Sequence, residues 1–113
     1  MKTEDMPTDK GVDEYDWAEA FAIAKADPER VASVLRSWGE SPEGYGSVDI
    51  AATFTLVDGR FGALTGWCDT TGWDCQAGAD WYEADTEEEL IRTRLTRRER
   101  EVLGYPHPEV GSD

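Results

Sequence analysis

The chain is poor in the residues on which most enzymes and metal sites depend. Its 113 residues include one histidine, His107, and two cysteines, Cys68 and Cys75. A serine or cysteine nucleophile activated by histidine is therefore improbable. Structural zinc sites favour three or four cysteine or histidine ligands, and this chain has only three such residues in total. No glycine-rich phosphate-binding loop stands between a strand and a helix. We expect no enzymatic activity and no cofactor.

Basic residues are also scarce, since 11 lysines and arginines stand against 25 acids and give a net charge of −14. A field of this sign repels nucleic acids and anionic membranes and attracts basic protein surfaces. The same charge could instead serve solubility alone. Arg94, Arg97 and Arg98 could bind phosphate, but pairing with the chain's own acids, such as Glu87–Glu89, is favoured in so acidic a protein.

Long apolar runs are absent as well. No stretch approaches the roughly 20 apolar residues that a membrane-spanning helix needs. The first seven residues lack the apolar core of a signal peptide. We therefore expect a cytoplasmic protein with no membrane partner, whose cysteines are thiols and not a structural disulfide.

What the chain does contain is aromatic: five tryptophans, four tyrosines and three phenylalanines indicate a folded domain. Trp17, Phe21 and Ala24 follow helical spacing and predict a helix over residues 13–26. Asp27 and Pro28 are typical of a helix start, and an apolar stripe follows them. A second helix is therefore predicted from Asp27 to the glycine at position 39. The stripe comprises Val31, Leu35 and Trp38.

The pattern then changes to strict alternation from Ile50 to Leu56, which is typical of a half-buried strand. Asp58-Gly59 predicts a two-residue hairpin turn. This turn places Leu56 opposite Phe61 and Ile50 opposite Trp67, all on one apolar face. A third strand over about residues 75–84 is predicted to return beside the second, with Cys68 opposite Cys75. This register places Gly62 beside Trp81 and Arg60 beside Glu83, and it puts Asp80 on the face of Phe61 and Trp67, which is less favourable.

Two capping boxes, beginning at Thr86 and Thr96, predict a C-terminal helical segment that ends before Gly104. The predicted fold class is α+β: two N-terminal helices, a three-stranded antiparallel β-meander and the C-terminal helical segment. We expect one domain over residues 12–104, after a disordered lead-in (residues 1–11) and before a flexible tail (residues 105–113).

The densest group of rare residues is the segment from Trp67 to Gln76. Two thiols and two carboxylates there, Cys68, Asp69, Asp74 and Cys75, could form a metal site or a thiol-based redox pair. The six-residue gap between the cysteines is wider than usual zinc spacing. A tightly built turn explains most of the segment equally well. Trp73 alone resists that explanation, and it either folds back onto the sheet or anchors a partner.

The same segment carries a resemblance. The residues from Cys68 to Cys75, leading to the acidic helix start at Thr86–Leu90, resemble a family of small uncharacterised phage and bacterial proteins. The resemblance covers residues 48–104, and no established activity comes with it. It implies a phage or mobile-element setting, in which small acidic proteins often bind and inhibit host proteins, including defence proteins, sometimes by imitating the charge of DNA.

The sequence thus favours a small acidic interaction protein that binds a basic, nucleic-acid-binding protein and makes no direct contact with nucleic acid. The metal- or thiol-based module remains the alternative. The candidate contacts are acids of the two helical regions and the unexplained tryptophan: Asp13, Glu14, Asp16, Glu19, Trp73, Glu87, Glu88 and Glu89.

Overall fold

The computed structural model describes residues 1–7, 12, 14–40, 47–69 and 77–105. Its elements are the helix α1 (Glu14–Ile23), four strands, and the helices α2 (Glu87–Thr93) and α3 (Arg97–Leu103). The strands are β1 (Val31–Glu40), β2 (Ser47–Leu56), β3 (Phe61–Asp69) and β4 (Ala77–Ala84). Among the described residues, no helix is long and apolar enough to cross a membrane.

The strands form one antiparallel sheet in the order β1-β2-β3-β4. The α+β class is therefore confirmed, but the predicted three-stranded meander and second N-terminal helix are wrong. Asp27 does cap a turn, because its side chain accepts a hydrogen bond from the Glu29 backbone N–H. That turn is a single 3₁₀ turn, Pro28–Arg30, after which the chain extends as β1.

Two β-bulges explain why β1 resembles a helix in the sequence. Its register against β2 shifts between Val31 and Ser33 and again between Val34 and Arg36. Each shift inserts one extra residue, so Val31 and Val34 lie on the same face of the sheet at a spacing of three. Intrinsic helix propensity is a weak preference, and pairing along β2 overrides it.

The hairpin between β2 and β3 differs from the prediction by one residue. Thr55 pairs with Phe61 and Ala52 with Leu64. The connection is a three-residue loop closed by a bond from the Leu56 N–H to the Arg60 carbonyl, with Gly59 at φ 89°. A left-handed glycine at the end of a three-residue loop is a common hairpin closure. The shift turns Leu64 toward the face predicted for Trp67, so the placement of Trp67 in the core is wrong.

The return strand begins two residues later than predicted and is displaced by two residues. Cys68 pairs with Ala77, not with Cys75. A two-residue displacement preserves which side chains share a face, so the expected contacts survive. A Cβ on Gly62 would lie 2.8 Å from the Trp81 ring, and Arg60 forms an ion pair with Glu83 at 3.0 Å.

Helix α1 covers one face of the sheet. Trp17 and Phe21 are fully buried against Phe54 and Leu64. The rings of Phe21, Phe54 and Trp81 lie 5.8–5.9 Å apart, in the range of favourable aromatic contact. Residues 1–7, within the predicted lead-in, include a 3₁₀ turn (Thr3–Asp5). The next residue, Met6, is buried in this core.

Helices α2 and α3 cover the opposite face with Leu90, Leu95 and Leu103. Tyr105, at the start of the predicted tail, is buried beside them, and its hydroxyl bonds to Thr53 at 2.7 Å and to Glu87 at 2.9 Å. The domain is therefore a sheet between two helical layers. Because α2 and α3 are short, they cover only part of their face.

Helix α3 depends on the predicted capping box. The Thr96 side chain accepts from the Glu99 N–H at 3.2 Å, and the Glu99 carboxylate accepts from the Thr96 N–H at 2.8 Å. We expect Thr96→Ala to lower the free energy of unfolding by about 1 kcal/mol, because the α3 backbone loses this acceptor. Urea unfolding measures the change. Thr96→Ser keeps the hydroxyl and is the control, and equal losses in both variants would contradict the capping role.

Candidate functional site

Two neighbouring rows of side chains cross the α2–α3 face of the sheet, beside α3. Cross-strand partners on antiparallel strands point to the same face, so consecutive pairs define a row. The first row runs across all four strands as Trp38, Ala51, Thr65 and Asp80. The second runs as Glu40, Asp49, Trp67 and Gly78. Together these rows place two tryptophans and three carboxylates on one surface.

The side chains of these rows, apart from Glu40 and Gly78, form the floor and sides of a groove of about 300 Å³. The floor is low because Ala51 and Thr65 are small and lie between larger side chains. Helix α3 forms the remaining wall with Thr96, Arg98, Glu99 and Val102. We call this cavity the acidic groove. The capping box of α3 therefore also positions one wall of the candidate site.

Trp67 is the more exposed of the two tryptophans in the acidic groove, with 46% of its surface accessible. Its indole lies across Gly78, since a Cβ added there would stand 2.7 Å from the Trp67 Nε1. Glycine at that position lets the ring lie close against the sheet. An exposed indole held in this way can contact a ligand through its π-face.

The electrostatics of the acidic groove favour a cation. Asp49, Asp80 and Glu99 line it together with one arginine, Arg98. Burial raises the pKa of the neighbouring Tyr82, and the negative charges of Asp80 and Glu99 raise it further. A carboxylate-rich groove containing exposed aromatic rings has the chemistry of cation-binding sites.

The predicted contact acids do not form one surface. Asp16 and Glu19 belong to α1, on the face of the sheet opposite to α2, where Glu87, Glu88 and Glu89 lie. Asp13, Trp73 and the Glu14 side chain lie outside the described residues. Glu87 bonds to Tyr105, and Glu88 pairs with Arg92 at 3.6 Å. Of the three arginines predicted to pair with the chain's own acids, Arg97 does so, with Glu101 at 3.6 Å.

The metal or thiol alternative gains no support from the described part of the chain. There, no three histidine, cysteine or acidic side chains lie close enough to hold a metal ion. Cys68 is half-buried near the end of β3, while Asp74, Cys75 and the Asp69 side chain lie outside the described residues. A cavity of about 20 Å³ beside Cys68 and α1 has room for about one water molecule.

Sequence reasoning missed Asp49, Asp80 and Glu99 as site residues, although one signal was present. The predicted strand pairing already placed Asp80 on the same face as Trp67, an uncomfortable neighbour for a core tryptophan. The structure resolves this conflict, because both residues border an open groove. An acid that alternation places on an apolar face is therefore a useful indicator of a site.

Comparison with known proteins adds no identification. No protein-family model matches the chain, and no curated protein or solved structure matches it significantly. The resemblance to small phage and bacterial proteins therefore stays a prediction.

Proposed function

We propose that this protein is a non-enzymatic interaction protein that binds a basic protein partner. The observation that carries the proposal is the acidic groove, where carboxylates and two tryptophans share one face of the sheet beside α3. Tryptophans are enriched among residues that dominate binding energy. Carboxylates around them select for positive charge.

The net charge of the whole chain supports the same partner. A charge of −14 creates a long-range field that accelerates encounter with a positive surface. Electrostatic complementarity acts mainly on association rate and on the choice of partner. The short-range contacts of the acidic groove would then hold the partner after encounter.

A basic surface that attracts this protein is also a surface that attracts nucleic acid. Bound there, the protein would compete with DNA or RNA and inhibit the partner. This extends the proposal to a DNA-charge mimic, consistent with the phage setting that the sequence resemblance implies.

Displacement of DNA tests the proposal directly. A fluorescent DNA duplex is bound to protamine, an arginine-rich DNA-binding protein, and the full chain is added while polarisation is followed. We expect the chain to release the duplex at low salt. Raising salt from about 0.01 M to about 0.15 M shortens the Debye length from about 30 Å to about 8 Å, so binding of the labelled chain to protamine should weaken strongly.

Failure to release the duplex at any salt concentration would contradict the proposal. So would binding to protamine that does not change with salt, because the proposed recognition depends on charge. A matched charge variant, with Glu4 and Glu29 changed to glutamine and Asp5 to asparagine, measures the contribution of net charge. These three side chains are exposed and lie outside the acidic groove.

A further inference from the structure

Within the acidic groove, Trp67 lies between two carboxylates. Asp49 is its cross-strand partner on β2, while Asp80 is on β4, one residue pair along the same face. Adjacent strands are spaced by about 4.8 Å, so both carboxylates lie within reach of a group placed on the indole. The ring lies against Gly78, with the small residue Thr65 beside it, and 46% of the Trp67 surface is accessible.

The second tryptophan of the acidic groove already contacts a guanidinium group. The Cζ of Arg98 lies 6.0 Å from the Trp38 ring centroid, at the outer limit of a cation–π contact. Arg98 stands on α3 and projects toward the sheet from the wall of the same groove. Within the part of the chain that the structure describes, an arginine therefore lies over Trp38, whereas no cation lies over Trp67.

We propose that the acidic groove recognises an arginine side chain of the partner, with its guanidinium stacked on Trp67 and paired with Asp49 and Asp80. This inference rests on the proposed function and names the chemical group that the site binds. Arg98 is then an internal competitor, because it brings a positive charge of the same chemistry into the groove.

The geometry favours arginine over lysine. A guanidinium is planar, so it can lie flat on an indole while its N–H groups point outward to carboxylates on either side. An ammonium group is a compact and more strongly hydrated charge that gains less from the flat ring. A neutral residue of arginine's shape would lose both the ion pairs and the attraction to the ring.

Three nine-residue peptides, in which glycine alternates with arginine, lysine or citrulline, test this choice. Tryptophan fluorescence and the indole N–H signals in NMR follow binding to the full chain, and the signal missing from Trp67→Ala identifies the Trp67 indole. We expect the arginine peptide to bind about two- to fivefold more tightly than the lysine peptide, from the range of exposed cation–π energies. The citrulline peptide should show no saturable binding. Equal affinity for arginine and lysine would overturn the assignment.

Substitutions in the acidic groove test whether the arginine peptide binds there. Trp67→Ala and Asp80→Asn should each weaken the arginine peptide about two- to fivefold or more. Glu29→Gln removes the same charge as Asp80→Asn at an exposed position outside the groove, and is the matched control. The NMR spectrum of each variant verifies its fold. Folded Trp67 and Asp80 variants that bind like wild type would contradict the proposal.

Arg98 gives a test in the opposite direction. Arg98→Ala should bind the arginine peptide more tightly than wild type, because it removes a positive charge from the groove. Arg92→Ala causes the same change in net charge on α2, where Arg92 pairs with Glu88. A gain that is equal in both variants would show a net-charge effect and refute the competition.

The proposed function and the proposed arginine site can be refuted independently of each other. If the chain displaces DNA from protamine while the groove variants retain wild-type affinity for the arginine peptide, the basic partner stands and the arginine site is refuted. If the chain does not displace DNA at all, the proposed function itself is refuted.

Discussion

Leu64→Ala is expected to lower the free energy of unfolding by about 2–5 kcal/mol, the usual cost of removing a fully buried leucine side chain. Leu64 is 0% exposed and packs in the core under α1. It lies on a central strand with a paired neighbour on each side, so little collapse of the resulting cavity is expected. Urea unfolding at neutral pH, followed by circular dichroism, measures the loss.

Trp67→Ala is the companion measurement on the same strand. Although tryptophan is the larger residue, its side chain is 46% exposed, and we expect a change below about 1 kcal/mol. The two substitutions distinguish the observed register from the one that the Asp58-Gly59 turn predicts. In the predicted register Trp67 is a core residue, so a larger loss at Trp67 than at Leu64 would contradict the structure.

The register shows how far local sequence determines this sheet. The alternation in β2 and the existence of a hairpin were predicted correctly, because period-two patterning and turn residues are local signals. The one-residue error arose because Asp-Gly is compatible with both two- and three-residue loops. Both faces of the strands are covered by helices, so apolar residues occur on each face and alternation could not exclude the wrong register.

The error at β1 has a different cause. Its two bulges interrupt the period-two alternation, so Val31, Leu35 and Trp38 follow helical spacing in the sequence although Val31 and Trp38 lie on opposite faces of the sheet. The start signal at Asp27 and Pro28 was real, but it belongs to a turn of three residues. What decides between strand and helix here is the unpaired edge of β2, a tertiary feature that appears only when the sheet is assembled.

The candidate site was predictable in chemistry but not in position. The acidic character and the tryptophan content of the chain, from which a basic partner was predicted, can both be read from the composition. Placement of Trp38, Asp49 and Asp80 on one surface depends on register across three strand pairs. It also depends on α3 ending where it does, at Gly104 in the left-handed conformation. Errors in β1 and in the hairpin were enough to hide the groove.

A second large effect is expected at the closed end of the hairpin, where Glu83 joins an ion-pair network. Its carboxylate accepts two bonds from Arg30, at 2.6 and 2.8 Å, and one from Arg60 at 3.0 Å. The Trp81 indole N–H donates to it at 2.7 Å. These contacts tie the start of β1 to β3 and β4 across the sheet. Charge-assisted hydrogen bonds are stronger than neutral ones, and most of this carboxylate is shielded from water.

The hydrogen bonds from Arg30 lower the pKa of Glu83 to about 2, from an ordinary value of 4.5. The folded state therefore binds this proton less readily than the unfolded state. It follows that the stabilisation is complete above the unfolded pKa and is lost as pH falls from about 4.5 toward about 2. After allowance for solvent around the half-exposed arginines, we expect on the order of 1–2 kcal/mol at neutral pH.

Glu83→Gln should remove that stabilisation at pH 7 and leave a smaller difference from wild type at about pH 3, since the wild-type carboxylate then begins to lose its advantage. Urea unfolding of both proteins at the two pH values isolates Glu83 from the other acids, which titrate in both proteins alike. Glu88→Gln, whose side chain is 79% exposed, is the control and should change stability by less than about 0.5 kcal/mol. A Glu83→Gln penalty that stays constant with pH would show that shape and neutral hydrogen bonding, not charge, hold the three strands together.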